Sequence, residues 1–217
     1  MKRITIVTIA LSTLVSAPMS ASSVELALDF TGTSANSFQN DLTFGWSFSA
    51  NQSIIVDALG FFDDEIRTGP DLHQDHLVSL WTIDGDLLAQ TTITNASTPV
   101  ASTAEGGEWL FNDIAPVVLP VGDYVIGAHD PACTGVPDCD DIRFFATATP
   151  SSLITFIEAR DTSGNAFPSS SVPLRNDGYF GPNLRVSAIP VPAALPLMLT
   201  GLIGFGFFGR KIKTSKK

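Results

Sequence analysis

Leu42-Thr43-Phe44-Gly45-Trp46-Ser47-Phe48-Ser49 decides the fold. Large apolar residues alternate strictly with small or polar ones. An extended chain therefore sets Leu42, Phe44, Trp46 and Phe48 on one face. The next run, 54–62, is apolar almost throughout, as in a strand at the centre of a sheet. Runs 77–83 and 87–93 flank Asp84-Gly85-Asp86, where the Asp-Gly step supplies the positive φ of a tight hairpin turn. Shorter runs follow at 117–119, 124–128, 143–148, 153–159 and 184–186. Turn residues separate them, and no stretch between the termini sustains a period of 3.6. The expected fold is all-β, an antiparallel β-sandwich of jelly-roll-like form over residues 23–187.

The ends of the chain read differently. Lys2 and Arg3 precede an apolar core of 12 residues, 4–15, and a small-residue stretch, 16–23. That is the layout of a secretory signal peptide, residues 1–22, cut after Ala21 or Ser22. Twelve residues are too few to span a bilayer. At the other end, residues 193–209 hold 17 residues without a charge, followed by Arg210, Lys211, Lys213, Lys216 and Lys217. This segment is expected to be a transmembrane helix with its basic end held in the cytoplasm.

Residues 188–217 resemble the PEP-CTERM sorting tail of Gram-negative envelope proteins in its Val-Pro-x-Pro-Ala-Ala variant. The likeness rests on Pro190, Val191, Pro192, Ala193 and Ala194, on the glycine-bearing apolar segment, and on Arg210-Lys211. Val191 stands where the commonest form has Glu. The resemblance implies an exported precursor held in the inner membrane through its C-terminal helix. An exosortase-type enzyme would then process it, and the product would reach the cell surface or extracellular matrix. An unprocessed single-pass anchor is the plainer alternative.

A second likeness covers residues 40–186: Gly45-Trp46-Ser47-Phe48, Leu59-Gly60-Phe61-Phe62-Asp63-Asp64, His76-Leu77-Val78-Ser79-Leu80-Trp81 and Gly122-Asp123-Tyr124. This pattern is similar to a β-sandwich domain of unknown function found in bacterial surface proteins. It implies a fold and a setting, and no reaction.

Charge narrows the partners. Between residues 23 and 190 there are five arginines, no lysine and all 22 acidic residues, a net charge of −17. Such a surface repels nucleic acid and anionic lipid, and favours neutral partners and divalent cations. Asp63, Asp64 and Asp71 are candidate calcium ligands, with Glu65, His73, Asp75 and His76 close by in sequence; the fixed spacing of an EF-hand is missing. No helix brings His73 and His76 to one face, which argues against zinc.

Cys133 and Cys139 are the only cysteines, and in an exported protein they are expected to form a disulfide pinning a surface loop. A metal loop of Asp130, Asp138, Asp140 and Asp141 is compatible with that staple. Five intervening residues do not suit a redox-active pair.

The chain has no Gly-x-Ser-x-Gly elbow, no His-Glu-x-x-His and no phosphate-cradling glycine loop, and no catalytic residues are assigned. Two functions follow. One is a structural protein of the envelope or matrix, associated with exopolysaccharide. The other is a calcium-assisted carbohydrate-binding module, with Trp81 and Trp109, and also Tyr124 or Tyr179, stacking on sugar rings. Exposure of these aromatics separates the two, and Trp46 belongs to the core in both.

Overall fold

The alternating stretch forms a strand whose large side chains are fully buried: Phe44, Trp46 and Phe48 show no exposed surface. The computed structural model describes residues 24–32, 35–37, 40–65, 69, 71–134, 139–143, 146–172 and 180–189. The expected signal peptide, residues 1–22, the motif Pro190 to Ala194 and the segment 193–209 lie outside the described residues, as does Tyr179. Among the described residues no helix is long and apolar enough to cross a membrane.

In chain order the strands are β1 (Val24–Leu26), β2 (Leu28–Thr31), β3 (Ala35–Ser37), β4 (Leu42–Ala50) and β5 (Ile54–Asp64). Next come β6 (His76–Thr82), β7 (Leu87–Ile93), β8 (Thr98–Ala101), β9 (Gly107–Leu119) and β10 (Gly122–Asp130). The last are β11 (Asp141–Arg143), β12 (Thr147–Pro150), β13 (Ile154–Ser163), β14 (Ser170–Ser171) and β15 (Pro182–Ala188). All pairings are antiparallel. One sheet has the order β1-β15-β5-β9-β8, the other β14-β13-β4-β10-β6-β7; β11-β3 and β12-β2 form two ribbons.

The architecture is β-sandwich-like. Phe44 of one sheet meets Phe61 of the other edge-on at 6.1 Å, and the Trp46 indole N–H donates across to the Pro182 carbonyl at 2.9 Å. Phe30 of β2 stacks on Phe180 and meets Phe62 and Trp109 edge-on, which closes one side of the core. Burying each such ring contributes on the order of 2–3 kcal/mol of transfer free energy. The buried Asn183 ties β2 to β15, donating to the Leu28 carbonyl at 2.6 Å and accepting from the Leu28 N–H at 3.3 Å.

Several boundaries differ from the sequence pattern. The run expected at 117–119 is the end of a 13-residue strand, β9. Asp113 and Pro116 interrupt its apolar pattern, and β9 bulges between them: Val56 faces Val117 and Ala58 faces Asp113. The run expected at 143–148 is two strands, with β11 paired to β3 and β12 to β2. The turn after β6 is a four-residue connection in which Gly85 takes φ 93° and its N–H bonds to the Thr82 carbonyl.

The polar face of β4 is buried as well. Thr43 and Ser47 are almost wholly covered, although they alternate with the core residues. The segment 164–169 between β13 and β14 runs across this outer face. Thr43 Oγ1 donates to the Gly164 carbonyl at 2.7 Å and accepts from the Ala166 N–H at 3.2 Å. Phe167 then packs edge-on against Trp81 at 5.8 Å. At the centre of the face a side chain at Gly45 would collide with the Ile126 carbonyl, so only glycine lets β4 and β10 pair there.

Candidate functional site

The two ends of the sandwich have different chemistry. At one end β4 begins, β5 stops, β9 begins and β10 stops: Leu42 faces Asp130, and Gly107 faces Asp64. This end gathers Asp41, Asp63, Asp64, Glu65, Asp71, Glu108, Asp130 and Asp140, together with all three histidines. The other end carries the short links from Ala50 to Ile54 and from Leu119 to Gly122.

Two buried polar clusters organise the acidic end. The first centres on Arg143, which is fully buried. Its guanidinium grips Asp64 in a bidentate pair, Nε to Oδ2 and Nη2 to Oδ1 at 2.9 Å. Nη1 donates to the Gly32 carbonyl and Nη2 to the Glu105 carbonyl, both at 2.9 Å, and the group sits 5.5 Å over the Phe62 ring. A planar fork with five donors suits this arrangement as a lysine ammonium would not. Asp64 therefore spends its carboxylate on an internal cation.

The second cluster centres on Asp140. Its oxygens accept from His73 N–H at 2.8 Å, Gln74 N–H at 3.0 Å and His76 Nε2 at 2.9 Å. The other ring nitrogen of His76 lies 3.2 Å from the His129 carbonyl, and the ring stacks on Phe61 at 3.9 Å. Both ring nitrogens thus face an acceptor oxygen. Gln74 links Asp140 to Asp130 by donating to Asp130 Oδ1 at 2.7 Å. Asp130 Oδ2 is buried without a hydrogen-bond partner.

Electrostatics follow from this crowding. Burial pushes Asp130 up to about 7, against the pull of His76 and the Gln74 hydrogen bond and with help from Asp140 and Asp41. Burial also pushes Asp63 up to about 7, reinforced by Asp140, Glu65, Asp71 and Glu108. Asp29 behaves in the opposite way. Its burial is outweighed by hydrogen bonds from Ser102, Thr103 and Trp109, which hold the carboxyl below its usual range.

The expected disulfide is present: Cys133 and Cys139 are bonded, with their Cα atoms 5.5 Å apart. Cys139 adjoins Asp140 and Cys133 stands three residues after Asp130, so the bond holds the ends of the two acidic segments together.

The other candidate residues scatter. Asp63 is buried, Asp64 is paired with Arg143, and Asp71 is exposed at the surface. Among the described residues no group of three His, Cys, Asp or Glu side chains is arranged to hold a metal ion. No aromatic platform forms at Trp81, Trp109 or Tyr124. Trp109 is fully buried among Phe30, Phe62 and Phe111, and donates to Asp29 at 3.2 Å. Trp81 is 8% exposed beneath Phe167, and Tyr124 is 8% exposed. Both tryptophans are large enough to be drawn into the nearest apolar space, and neither offers a ring face to solvent.

A polar cavity of about 360 Å³ lies at the same end, lined by Asn40, Asp41, Leu42, Asp161, Thr162, Ser163 and Ser170. Burial raises the Asp161 carboxyl above its ordinary range. Neither this cavity nor the roles of Arg143, Asp140 and Asp29 were marked by the sequence pattern. The arginine was the one available clue, as one of only five cations in the domain.

Comparison with protein-family models, with curated proteins and with solved structures finds no match to this chain.

Proposed function

We propose that this is an exported structural protein of the cell envelope or extracellular matrix, sorted through its PEP-CTERM-type tail and associated with exopolysaccharide. The observation that carries the reading is the Cys133–Cys139 bond, because a disulfide persists in an oxidising compartment and is rare in the cytosol. The signal peptide and tail of the sequence point to the same setting. Eight strands, β1, β4, β5, β6, β7, β9, β10 and β15, support the jelly-roll reading. Numbered one to eight, they take the orders 1-8-3-6 and 2-7-4-5 in the two sheets. Burial of Trp81 and Trp109 favours a structural module over a sugar-stacking one. His76 has both ring nitrogens engaged, so it has none to offer as a general base.

The test is the intact mass of the mature protein from envelope and medium fractions. A chain that starts near Ser22 or Ser23, ends near Pro190 to Ala193 and carries the disulfide is the expected result. A chain still ending at Lys217 would make it an unprocessed membrane-anchored protein, and the matrix assignment would fall.

The second reading, a calcium-assisted carbohydrate module, is favoured by one observation: the unpartnered oxygen of Asp130 beside Asp140, near a polar cavity. Calorimetric titration of the protein with calcium chloride decides it. No heat and no rise in Tm would remove that reading.

A further inference from the structure

Asp161 stands where the sheet calls for an apolar side chain. Register sets it opposite Phe44, and Ser163 opposite Leu42, at positions of the face of β4 that supplies the core. Ser170 of β14 is paired with Asp161 on its other side. All of these but Phe44 line the cavity of about 360 Å³ at the acidic end. That volume lies at the lower end of the roughly 300–1,000 Å³ range of small-molecule sites.

Six of the seven lining residues carry polar side chains, and Leu42 is the exception. Burial alone acts on the Asp161 carboxyl, with no hydrogen bond or neighbouring charge contributing among the described residues. Both of its oxygens are therefore available to donors from a ligand. Asp41 is held from two sides. Its Oδ1 lies 2.7 Å from His129 Nε2, and its main-chain carbonyl accepts from the Gly164 N–H at 2.9 Å. The link from Ser163 to Ser170 is fixed in turn. Gly164 takes φ 70°, and Thr43 Oγ1 bonds both the Gly164 carbonyl and the Ala166 N–H. A ligand thus meets positioned groups and spends little on ordering them.

The lining selects a chemical class. Two carboxylates repel an anion. A calcium ion takes about six to eight oxygens, and among the described residues no group of three acidic, cysteine or histidine side chains is arranged for a metal. A neutral ligand rich in hydroxyl groups fits best. Adjacent hydroxyls of a sugar ring donate in parallel to one carboxylate, in charge-assisted bonds stronger than neutral ones. The Asn40 amide and the hydroxyls of Thr162, Ser163 and Ser170 can each donate and accept. Leu42 offers an apolar contact for the C–H face of the ring.

We propose that the cavity around Asp41, Asp161, Ser163 and Ser170 binds a neutral sugar residue through its hydroxyl groups, with neither an aromatic platform nor a calcium ion. The proposal rests on the exopolysaccharide association given above and names the site through which the polymer is held.

Saturation-transfer NMR on the full chain in phosphatidylcholine nanodiscs tests it. The probes are methyl β-glucoside, methyl α-mannoside, methyl β-galactoside and sodium glucuronate. Transfer to at least one neutral glycoside, and none to glucuronate, is the expected result. Asp161→Ala should weaken that binding roughly tenfold or more. Ser170→Trp fills the cavity and should abolish it, and Ser170 is exposed, so this variant leaves the core intact. Binding that survives both substitutions lies elsewhere and overturns the proposal. Binding to none of the glycosides overturns it too, as does binding that disappears on adding a calcium chelator. Co-sedimentation of the unaltered chain with its host's exopolysaccharide separates the two readings. Co-sedimentation without glycoside binding ends the cavity site alone, and the absence of both ends the association as well.

Discussion

The acidic end and the chain-end pole close the same two sheets by opposite means. At the acidic end, charged groups are taken inside and held: Arg143 and Asp64 are fully buried, and Asp140 and His76 nearly so. At the other pole the carboxylates Asp84, Asp86 and Asp123 stay in water, and Val118 and Val121 are exposed instead. Its polar contacts are mostly exposed, as where Thr155 Oγ1 donates to Asn51 Oδ1 at 2.9 Å, and the Tyr124 hydroxyl donates to the Pro120 carbonyl at 3.0 Å. A buried charge ties its surroundings to a single arrangement because every alternative leaves it unpaired. Exposed groups impose no such condition. Rigidity and pH sensitivity should therefore reside at the acidic end.

The sharpest way to break this contrast is Arg143→Ala. It removes the buried guanidinium that Asp64 is paired with, a loss of about 3–5 kcal/mol. The urea midpoint should fall accordingly, and Asp64→Asn in the same chain should recover part of the loss. A cost below 1 kcal/mol would mean that the clamp is incidental.

Acidity gives the second test. Asp63 and Asp130 hold their protons to about pH 7 in the folded protein, whereas unfolded carboxyls release them near 3.9. Between pH 4 and 7 the folded state therefore binds more protons, so the stability these groups contribute at low pH is lost as pH rises to 7. From pH 5 to 8 the loss is on the order of 2–3 kcal/mol per group. Thermal unfolding should show a higher Tm at pH 5 than at pH 8, and Asp130→Asn should flatten the profile. Asp29 works the other way at lower pH: its depressed carboxyl stabilises above the unfolded value, and that contribution disappears as pH falls below 4.

Reduction of Cys133–Cys139 is third, at about 2–3 kcal/mol on the chain-entropy model. Hydrogen exchange should quicken first around residues 139–143, and much less at the chain-end pole. The smallest effect belongs to that pole. Tyr124→Phe removes one hydrogen bond and should cost about 1 kcal/mol with no change in pH profile. If it cost as much as Arg143→Ala, the two ends would not differ in kind.

How far the sequence spoke for itself depended on range. The alternation at 42–49, the apolar run at 54–62 and the Asp84-Gly85 turn are local signals, and each marks an element that is present. The disulfide followed from compartment and spacing. The burial of Trp81 was not legible, because its cover comes from Phe167, 86 positions along the chain. Trp109 was equally opaque, since Asp113 and Pro116 hide the length of its strand. The grouping of Asp63 with Asp130 and Asp140 depends on which strand ends the topology brings to one pole. Spacing suggested Asp63, Asp64 and Asp71 as one set of ligands, and the fold divides them between a buried cluster, an ion pair and the surface.

The place of β15 has a consequence for the order of events in the life of the chain. It lies between β1 and β5 at the heart of its sheet, and Val24 finds its partner only at Ser187. Arg143 likewise joins residues from 32 to 106. Loops of this length must close before their contacts reward them, so assembly is slow and late. A chain threaded amino end first through a narrow channel cannot complete its sheet until nearly the whole domain has emerged on the far side. The sheet thus stays incomplete until its last strand arrives.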